Sequence, residues 1–365
     1  MIYVHVPFCR SFCVYCDFYS EIACRGKDLE QLDRYVGELC AEIASRRPEL
    51  SRTLGVNTLY FGGGTPSVLP PSAFESILKA LDCGPYTEFT VEVNPEDLVE
   101  NGTAYLKELH RLGVNRISMG VQSLDDGILR WMRRRHDAAT AVRAFGMLRG
   151  AGFGNISLDL IFGLPQLSPE TLAQTLDGIC GLRPEHVSAY QLSVENGSDL
   201  AAMAACGKFT EASEDACAAQ YGMICSRLRD AGYVHYEISN WALPGREAKH
   251  NSAYWERVPY VGFGPGAHSF DGERRSWNST RLSGWSSSAE LLTAGEASEE
   301  RIMLGLRTAR GIPAEWCRPE DLHRCLADGS LAAASDALLP DGLPARVRIP
   351  ESRWFVSDDI VSGLI

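Results

Sequence analysis

The chain has no uncharged apolar run near the ~20 residues that a membrane-spanning helix requires. Nor does it open with a basic segment followed by an apolar core; IYVHVPF alternates instead like a strand that belongs to the fold. These two absences lead us to expect a cytoplasmic protein. Positive charge is scarce: 35 Lys and Arg face 47 Asp and Glu, for a formal net charge of -12. Nucleic-acid binding needs a basic footprint, so nucleic acid is not expected as a partner. The basic cluster RWMRRRHD at 130–137 is expected to serve a local anionic group or a solvated helix end. There is no internal repeat beyond strand–helix alternation and no low-complexity tract. GFGPGAHS lacks the Lys-Ser/Thr of a phosphate loop and reads as a tight turn against the body of the fold. A length of 365 residues exceeds the ~250–300 at which single cores stop growing, so a large unit and a smaller one are expected.

Cysteine, by contrast, is plentiful. Twelve of them in a long chain with no sign of secretion argue for a reducing compartment rather than a disulfide framework. Nine are scattered: Cys24, Cys40, Cys83, Cys180, Cys206, Cys217, Cys225, Cys317 and Cys325 read as small packed hydrophobes. The other three, Cys9, Cys13 and Cys16, form a C-x3-C-x2-C run with no fourth cysteine near. They follow a strand and share a loop with Pro7, so their thiolates can converge on one point. Three sulfurs suit zinc or an iron–sulfur cluster. A structural zinc site wants four closed ligands, usually from paired C-x2-C elements. His5 could be recruited as the fourth, but as a residue of the first strand it is expected to face inward. A cubane with three irons held by thiolate and one left open accounts for the triplet without a fourth side chain.

From residue 2 to about 240, β-rich runs alternate with helical patterns. The expected strands are IYVHV, NTLYFGG, FTVEVN, NRISMGV, ISLDLIFG, HVSAYQLS and HYEISN. A helix is expected over 28–46, where Leu29, Leu32, Val36, Leu39 and Ile43 recur at three and four residues. Another follows Ser168 as N-cap and Pro169 at the first helical position. Repeated strand–helix units make an α/β fold with a parallel sheet, either a barrel or doubly wound. Gly62, Gly63, Gly64, Glu92, Asn94, Gln122 and Asp159 fall at strand ends, where such folds place their chemistry. We therefore expect this α/β unit over 1–240, an aromatic and Gly-rich connection over 241–282, and a C-terminal unit over 283–365. In that last unit a Ser/Gly-rich stretch precedes two helices, a strand pair around ARVRIPESRWFVS and a short final helix. The order is the outline of an α+β winged-helix-like module, here with a docking or lid role.

With Tyr15 just before its last cysteine, the C-x3-C-x2-C run resembles the cluster motif of radical S-adenosylmethionine (SAM) proteins. The resemblance implies a partial (β/α)6-type barrel and a [4Fe–4S] cluster on Cys9, Cys13 and Cys16. It implies SAM on the open iron, with electron-driven cleavage to a 5′-deoxyadenosyl radical. It further implies that Tyr3, Tyr15, Gly62, Gly63, Gly64, Thr65, Glu92, Gln122, Arg134 and Asp159 form the SAM site. Glycine lets carbonyls approach the methionyl ammonium, a guanidinium suits its carboxylate, and carboxylate or amide side chains suit the ribose.

The segments YVHVPFCRSFCVYCDFYS, LYFGGGTPS, VEVNPE, GVNRISMGVQSL, NISLDLIFGLPQLS, YQLSVENGS, YEISNWA, KHNSAYW and YVGFGPGAHS occur in this order. Together they resemble the HemW haem chaperones, relatives of the oxygen-independent coproporphyrinogen III oxidase. That family implies haem as cargo, haem-accepting apoproteins of the respiratory membrane as partners, an electron donor, transient association with membrane proteins and room for a homodimer. HNSAY matches its H-N-x-x-Y motif, which makes His250 and Tyr254 the haem candidates. Trp241, Trp255, Tyr260, Phe263 and Phe270 are near enough in sequence to cover a porphyrin face. The oxidase carries a further cysteine two residues after the third, where this chain has Phe18, and a long N-terminal arm. Cys9 lies eight residues from Met1, so that arm is expected to be missing. The alternative reading is the oxidase itself, a coproporphyrinogen III dehydrogenase turning propionates into vinyls. A third, an RNA- or protein-modifying radical enzyme, calls for a basic or TRAM-like accessory unit that the sequence does not offer.

Overall fold

A computed structural model describes residues 1–22, 29–50, 56–340 and 342–365; Cys24 and the expected helix start at 28 lie outside them. Nine strands form the main sheet: β1 Ile2–Val6, β2 Thr58–Gly63, β3 Glu88–Val93, β4 Arg116–Gln122, β5 Ile156–Phe162, β6 His186–Gln191, β7 Val234–Glu237, β8 Asn240–Ala242 and β9 Val261–Phe263. Their order is β9-β1-β2-β3-β4-β5-β6-β8-β7. Strands β1 to β6 are parallel and adjacent in chain order. Parallel crossovers are right-handed, so an order that never reverses puts every connecting helix on one face. The twisted sheet then curls around its other face, which selects a partial (β/α)6 barrel over a doubly wound sheet.

Period-2 alternation decides which side chains line the barrel. In β4, Ile117, Met119 and Val121 are buried against the helices. Arg116, Ser118, Gly120 and Gln122 alternate with them and turn inward, where Ser118 donates to Asp159. Leu39 and Ile43 of the helix Leu29–Ser45 are fully buried. Ser168 caps the helix Pro169–Leu182 by accepting from Thr171 N at 3.2 Å, as its sequence suggested.

Several expectations are corrected. HYEISN is not one strand of the parallel set; β7 and β8 form a tight hairpin whose β8 strand pairs antiparallel with β6. The YVGFGPGAHSF segment is more than a turn, since β9 pairs in parallel with β1 and extends the sheet at its other edge. Past the turn at Gly264 and Gly266, His268–Phe270 enters a second, antiparallel sheet with Arg274–Asn278 and Ser287–Leu291. The 283–298 stretch is thus partly strand; Ser287–Leu291 is exposed at every position and carries no alternation to detect. The first C-terminal helix starts early, at Ala294–Leu306, because Thr293 and Glu296 form a capping box. Ile312–Pro313, Ala332–Ala333 and Arg346–Arg348 make a small antiparallel sheet around the helix Pro319–Ala327. After Pro350, where the second strand of the expected pair would run, Glu351–Val356 is instead a 3-10 helix before the final helix Ser357–Ser362. Of the cysteines read as packed, Cys83 and Cys206 are exposed, whereas Cys217, Cys225, Cys317 and Cys325 are buried. Among the described residues no helix is long and apolar enough to cross a membrane.

Candidate functional site at the barrel mouth

The loop carrying the cysteines leaves the C-terminal end of β1 and returns on itself. Glu21 N donates to Pro7 O at 2.7 Å, and Phe8–Cys9 pairs with Glu21–Ile22, which closes the loop like a noose. Its base is tied to the β2 end by Gly64 N to Val6 O and Thr65 N to Phe8 O. Gly64 is required by this approach, because a Cβ there would stand 2.7 Å from Phe8 O. On the outer side Arg10 pairs with Asp97 at 3.2 Å. Cys9, Cys13 and Cys16 are half-buried and feel one another electrostatically.

The donor set fits a cluster better than one ion. Among the described residues, Cys225, His235 and Glu351 are the only three metal-ligating side chains whose ligand atoms lie within 4.8 Å of one another. The three N-terminal sulfurs therefore spread wider than the ~3.8 Å edge of a zinc tetrahedron with 2.3 Å bonds. His5 adds no fourth ligand, for its ring meets Tyr3 Oη at 3.1 Å through Nδ1 and Tyr19 O at 3.0 Å through Nε2.

Of the residues expected to hold SAM, Arg134, Tyr15 and Thr65 stand beside these sulfurs. Arg134 Nη1 lies 3.4 Å from Cys13 Sγ, and Nη2 donates to Gly120 O and Asn94 Oδ1. Its Nε is buried with no partner, an orphan donor of the kind a bound anion would satisfy. Tyr15 stands within reach of Cys13, Cys16 and Arg134. Thr65 Oγ1 meets Cys9 Sγ at 3.4 Å and accepts from Asn94 Nδ2. Gln122 adopts a positive φ of 65° where β4 ends, and its amide reaches the space a Cβ on Gly120 would fill. Gly63, at φ +109°, leaves no room for a side chain beside the His5 ring and donates its N–H to Glu92 Oε2.

Glu92 and Asp159 lie deeper. Glu92 also accepts from Tyr60 Oη at 2.7 Å, yet burial pushes its carboxyl up to about 7. Burial raises Asp159 as well, against the pull of Arg116 and three serine hydroxyls. Arg116 is fully buried, with Nε and Nη1 unpartnered, and its charge acts on Tyr60, Glu92 and Asp159. The sequence reading missed it, although Arg116 shares the inward register of Ser118 and Gln122.

The haem candidates lie elsewhere. His250 is buried at the opposite end of the barrel, near the starts of β2 and β3. Its Nδ1 meets Thr58 Oγ1 at 2.8 Å, its Nε2 meets Tyr254 Oη at 3.0 Å, and its backbone N donates to Glu88. Both ring nitrogens are engaged, so His250 offers iron no lone pair in this arrangement. Of the aromatics expected to cover a porphyrin, Trp241 and Phe263 are core residues, while Tyr260 and Phe270 border a cavity together with Tyr254. The basic cluster resolves into separate roles: Arg133 pairs with Asp199, Arg134 enters the site, Arg135 meets Glu100, and His136 meets Glu96.

A curled parallel sheet with a three-cysteine loop at the mouth of its first strand defines a radical SAM protein, and residues 3–179 match the Radical SAM superfamily model. The fold resembles that of the Escherichia coli coproporphyrinogen III oxidase HemN, at a TM-score of 0.78 and 21% identity over 99% of this chain and 89% of that one. The chain is 32% identical to the heme chaperone HemW of Mycobacterium tuberculosis, over 93% of its own length and 90% of that protein's. To the Lactococcus lactis heme chaperone HemW it is 35% identical, over 86% and 83%. The chain belongs to the HemW family within the radical SAM superfamily.

Proposed function

We propose that this protein is a haem chaperone, which binds haem and delivers it to an acceptor haemoprotein while carrying a SAM-liganded [4Fe–4S] cluster. The observation that carries the reading is the match to heme chaperones along nearly the whole chain. Phe18 agrees with it: the oxidase's further cysteine would fall at a side chain that is 69% exposed here.

Cys9, Cys13 and Cys16 would hold three irons of the cluster, and SAM would take the fourth. Such a cluster, when bound, supplies one electron at a time to the sulfonium. This chain's own residues do the positioning. Arg134, with an unused Nε beside Cys13, would take the methionyl carboxylate; the Gly62–Gly64 turn and Thr65 would face the ammonium. Tyr3, Tyr15, Glu92, Gln122 and Asp159 would surround the rest of the molecule. The same proposal divides the chain into a barrel to 240, a connection to 282 and a winged-helix-like unit to 365. Its partners would be a membrane-bound respiratory haemoprotein and an electron donor, reached from the cytoplasm, with a homodimer as an available state.

The test uses anaerobically reconstituted protein with SAM and dithionite, given either haem or coproporphyrinogen III. Stoichiometric haem binding with coproporphyrinogen left intact is the expected result. Multiple turnovers to protoporphyrinogen, read by mass spectrometry as loss of two carboxyl groups, would replace this reading with that of the dehydrogenase.

A further inference from the structure

Tyr254 has a second face. The residue whose hydroxyl meets His250 also borders a cavity of about 890 Å³, a size within the ~300–1,000 Å³ range of small-molecule sites. The cavity lies where the second sheet crosses the edge of the barrel. A Cβ on Gly262 of β9 would meet His268 O at 2.0 Å, so His268–Phe270 lies directly against that edge. Tyr254 is also within electrostatic reach of Tyr3 and Glu92, which places the cavity next to the barrel interior.

Three features of the lining converge on one kind of ligand. Tyr260, Phe270, Trp277 and Met303 give it apolar and aromatic walls. His268 is exposed, and its ring lies nearly parallel to Trp277, with centroids 6.2 Å apart and planes at 25°. Among the described residues no hydrogen bond engages its ring nitrogens, in contrast to His250. Arg257 and Arg275 supply the third feature. Both bind Glu300, Arg257 Nε reaching Oε2 at 2.5 Å and Arg275 Nη2 reaching Oε1. Both also lie over the Phe270 ring. One carboxylate thus answers two guanidiniums, and Arg257 Nη2 and Arg275 Nε stay buried without a partner. Glu290, opposite Arg275 in the ladder, is exposed at the rim. A guanidinium held this way has donors to spare for an incoming carboxylate.

We propose that this cavity is the haem site, with His268 as the side-chain ligand to iron and Arg257 and Arg275 facing the propionates, an inference that rests on the chaperone reading above. The aromatic walls cover the macrocycle faces, which water solvates poorly. Partial desolvation against the cavity wall and the Arg275 charge hold the exposed His268 imidazole below its ordinary range, so near neutrality its lone pair is free for iron. Tyr254 then joins the two ends of the family motif: it touches His250 from one side and the cargo from the other.

Ferric haem is titrated into the reconstituted protein, followed by the difference Soret band and by quenching of tryptophan emission. The proteins compared are the wild type, His268→Ala, Arg275→Gln and, as a surface control, His323→Ala. Retained cluster absorption confirms that each variant is folded. The His268→Ala protein should lose the histidine-ligated Soret position and bind at least about tenfold more weakly, with His323→Ala unchanged. Arg275→Gln should keep the ligated Soret position but bind more weakly, and the iron porphyrin dimethyl ester should bind the wild type no better than haem binds that variant. A His268→Ala protein with the wild-type spectrum and affinity overturns the assignment and leaves the chaperone reading standing. Ester binding as tight as haem binding overturns the arginine role. A wild-type protein that takes up no haem overturns both the assignment and the chaperone reading.

Discussion

In the metal-free protein two of the thiols at the barrel mouth are held in their protonated form, since burial pushes Cys9 up and carries Cys16 to about 11. Cluster assembly therefore has to release protons as well as bind iron. Replacing Cys9, Cys13 or Cys16 with Ser should remove the broad absorption near ~400 nm expected of a cubane. Iron and absorption retained in all three variants would defeat the cluster assignment. Glu92 gives a second prediction at this scale. Its folded value of about 7 lies above the 4.5 of an ordinary glutamate. The sign is that of a raised acid: its contribution to stability is full below pH 4.5 and is lost as pH rises through 7. A shift of that size corresponds to about 3 kcal/mol. Between pH 5 and 8, urea unfolding of the metal-free wild type should lose about that much more stability than Glu92→Gln. Parallel pH profiles for the two proteins would mean that Glu92 is ionised throughout.

Among the elements, β9 depends most on a single residue. Gly262 lies between β1 and the His268 carbonyl, and its N–H is taken by Ser269 Oγ. Gly262→Ala should cost about 1–3 kcal/mol, as overpacking against backbone does. Faster hydrogen exchange over 261–278, with β2 to β5 unchanged, is the expected signature; uniform exchange would mean that the second sheet is not seated on this edge. Neither β9 nor the β7–β8 hairpin was legible as such in the sequence. Three- and four-residue strands carry too few positions for a period, and long-range pairing selects them. The six central strands were legible, because β-branched and aromatic runs recur at regular intervals and all but the first end in or beside Gly, Asn or Gln. Much of the site was legible for the same reason. Cys9, Cys13 and Cys16 announce themselves by spacing, and Glu92 and Gln122 by their place at strand ends; Asp159, expected at an end, stands in the middle of β5. Arg116 stands at the start of its strand, where only the inward register marks it. His268 was read only as a residue that hydrogen-bonds across the aromatic joint, because HNSAY drew attention to His250, and nothing local shows that both nitrogens of His250 are used internally.

Across the whole molecule, the C-terminal elements are held to the barrel at its β7–β8 edge. Ile238 N donates to Arg307 O and Ala309 N to Tyr236 O, both at 3.0 Å. Beside these bonds the His235 ring stacks on Trp241 at 4.0 Å and meets the edge of Trp354 at 4.3 Å. Its Nδ1 lies 3.0 Å from Glu351 Oε1 and 3.9 Å from Cys225 Sγ, and Arg229 holds the same carboxylate from the outside. Burial takes His235 down to about 4 from 6.5. A base lowered on folding contributes stability that is present above pH 6.5 and is lost as pH falls through 4. That is opposite in sign to Glu92 over an overlapping range, so the two partly cancel in the global profile and must be separated by variants. Acidification from pH 7 to 5 should weaken this joint by about 2 kcal/mol. Hydrogen exchange over 346–361, corrected for intrinsic rate, should rise accordingly, while β2 to β5 stay protected. His235→Phe keeps a ring on Trp241 and removes the titration, so its exchange in that region should be flat across the same range. If His235→Phe loosens with acid as much as the wild type does, another group carries the pH response and the joint is held by its backbone bonds alone.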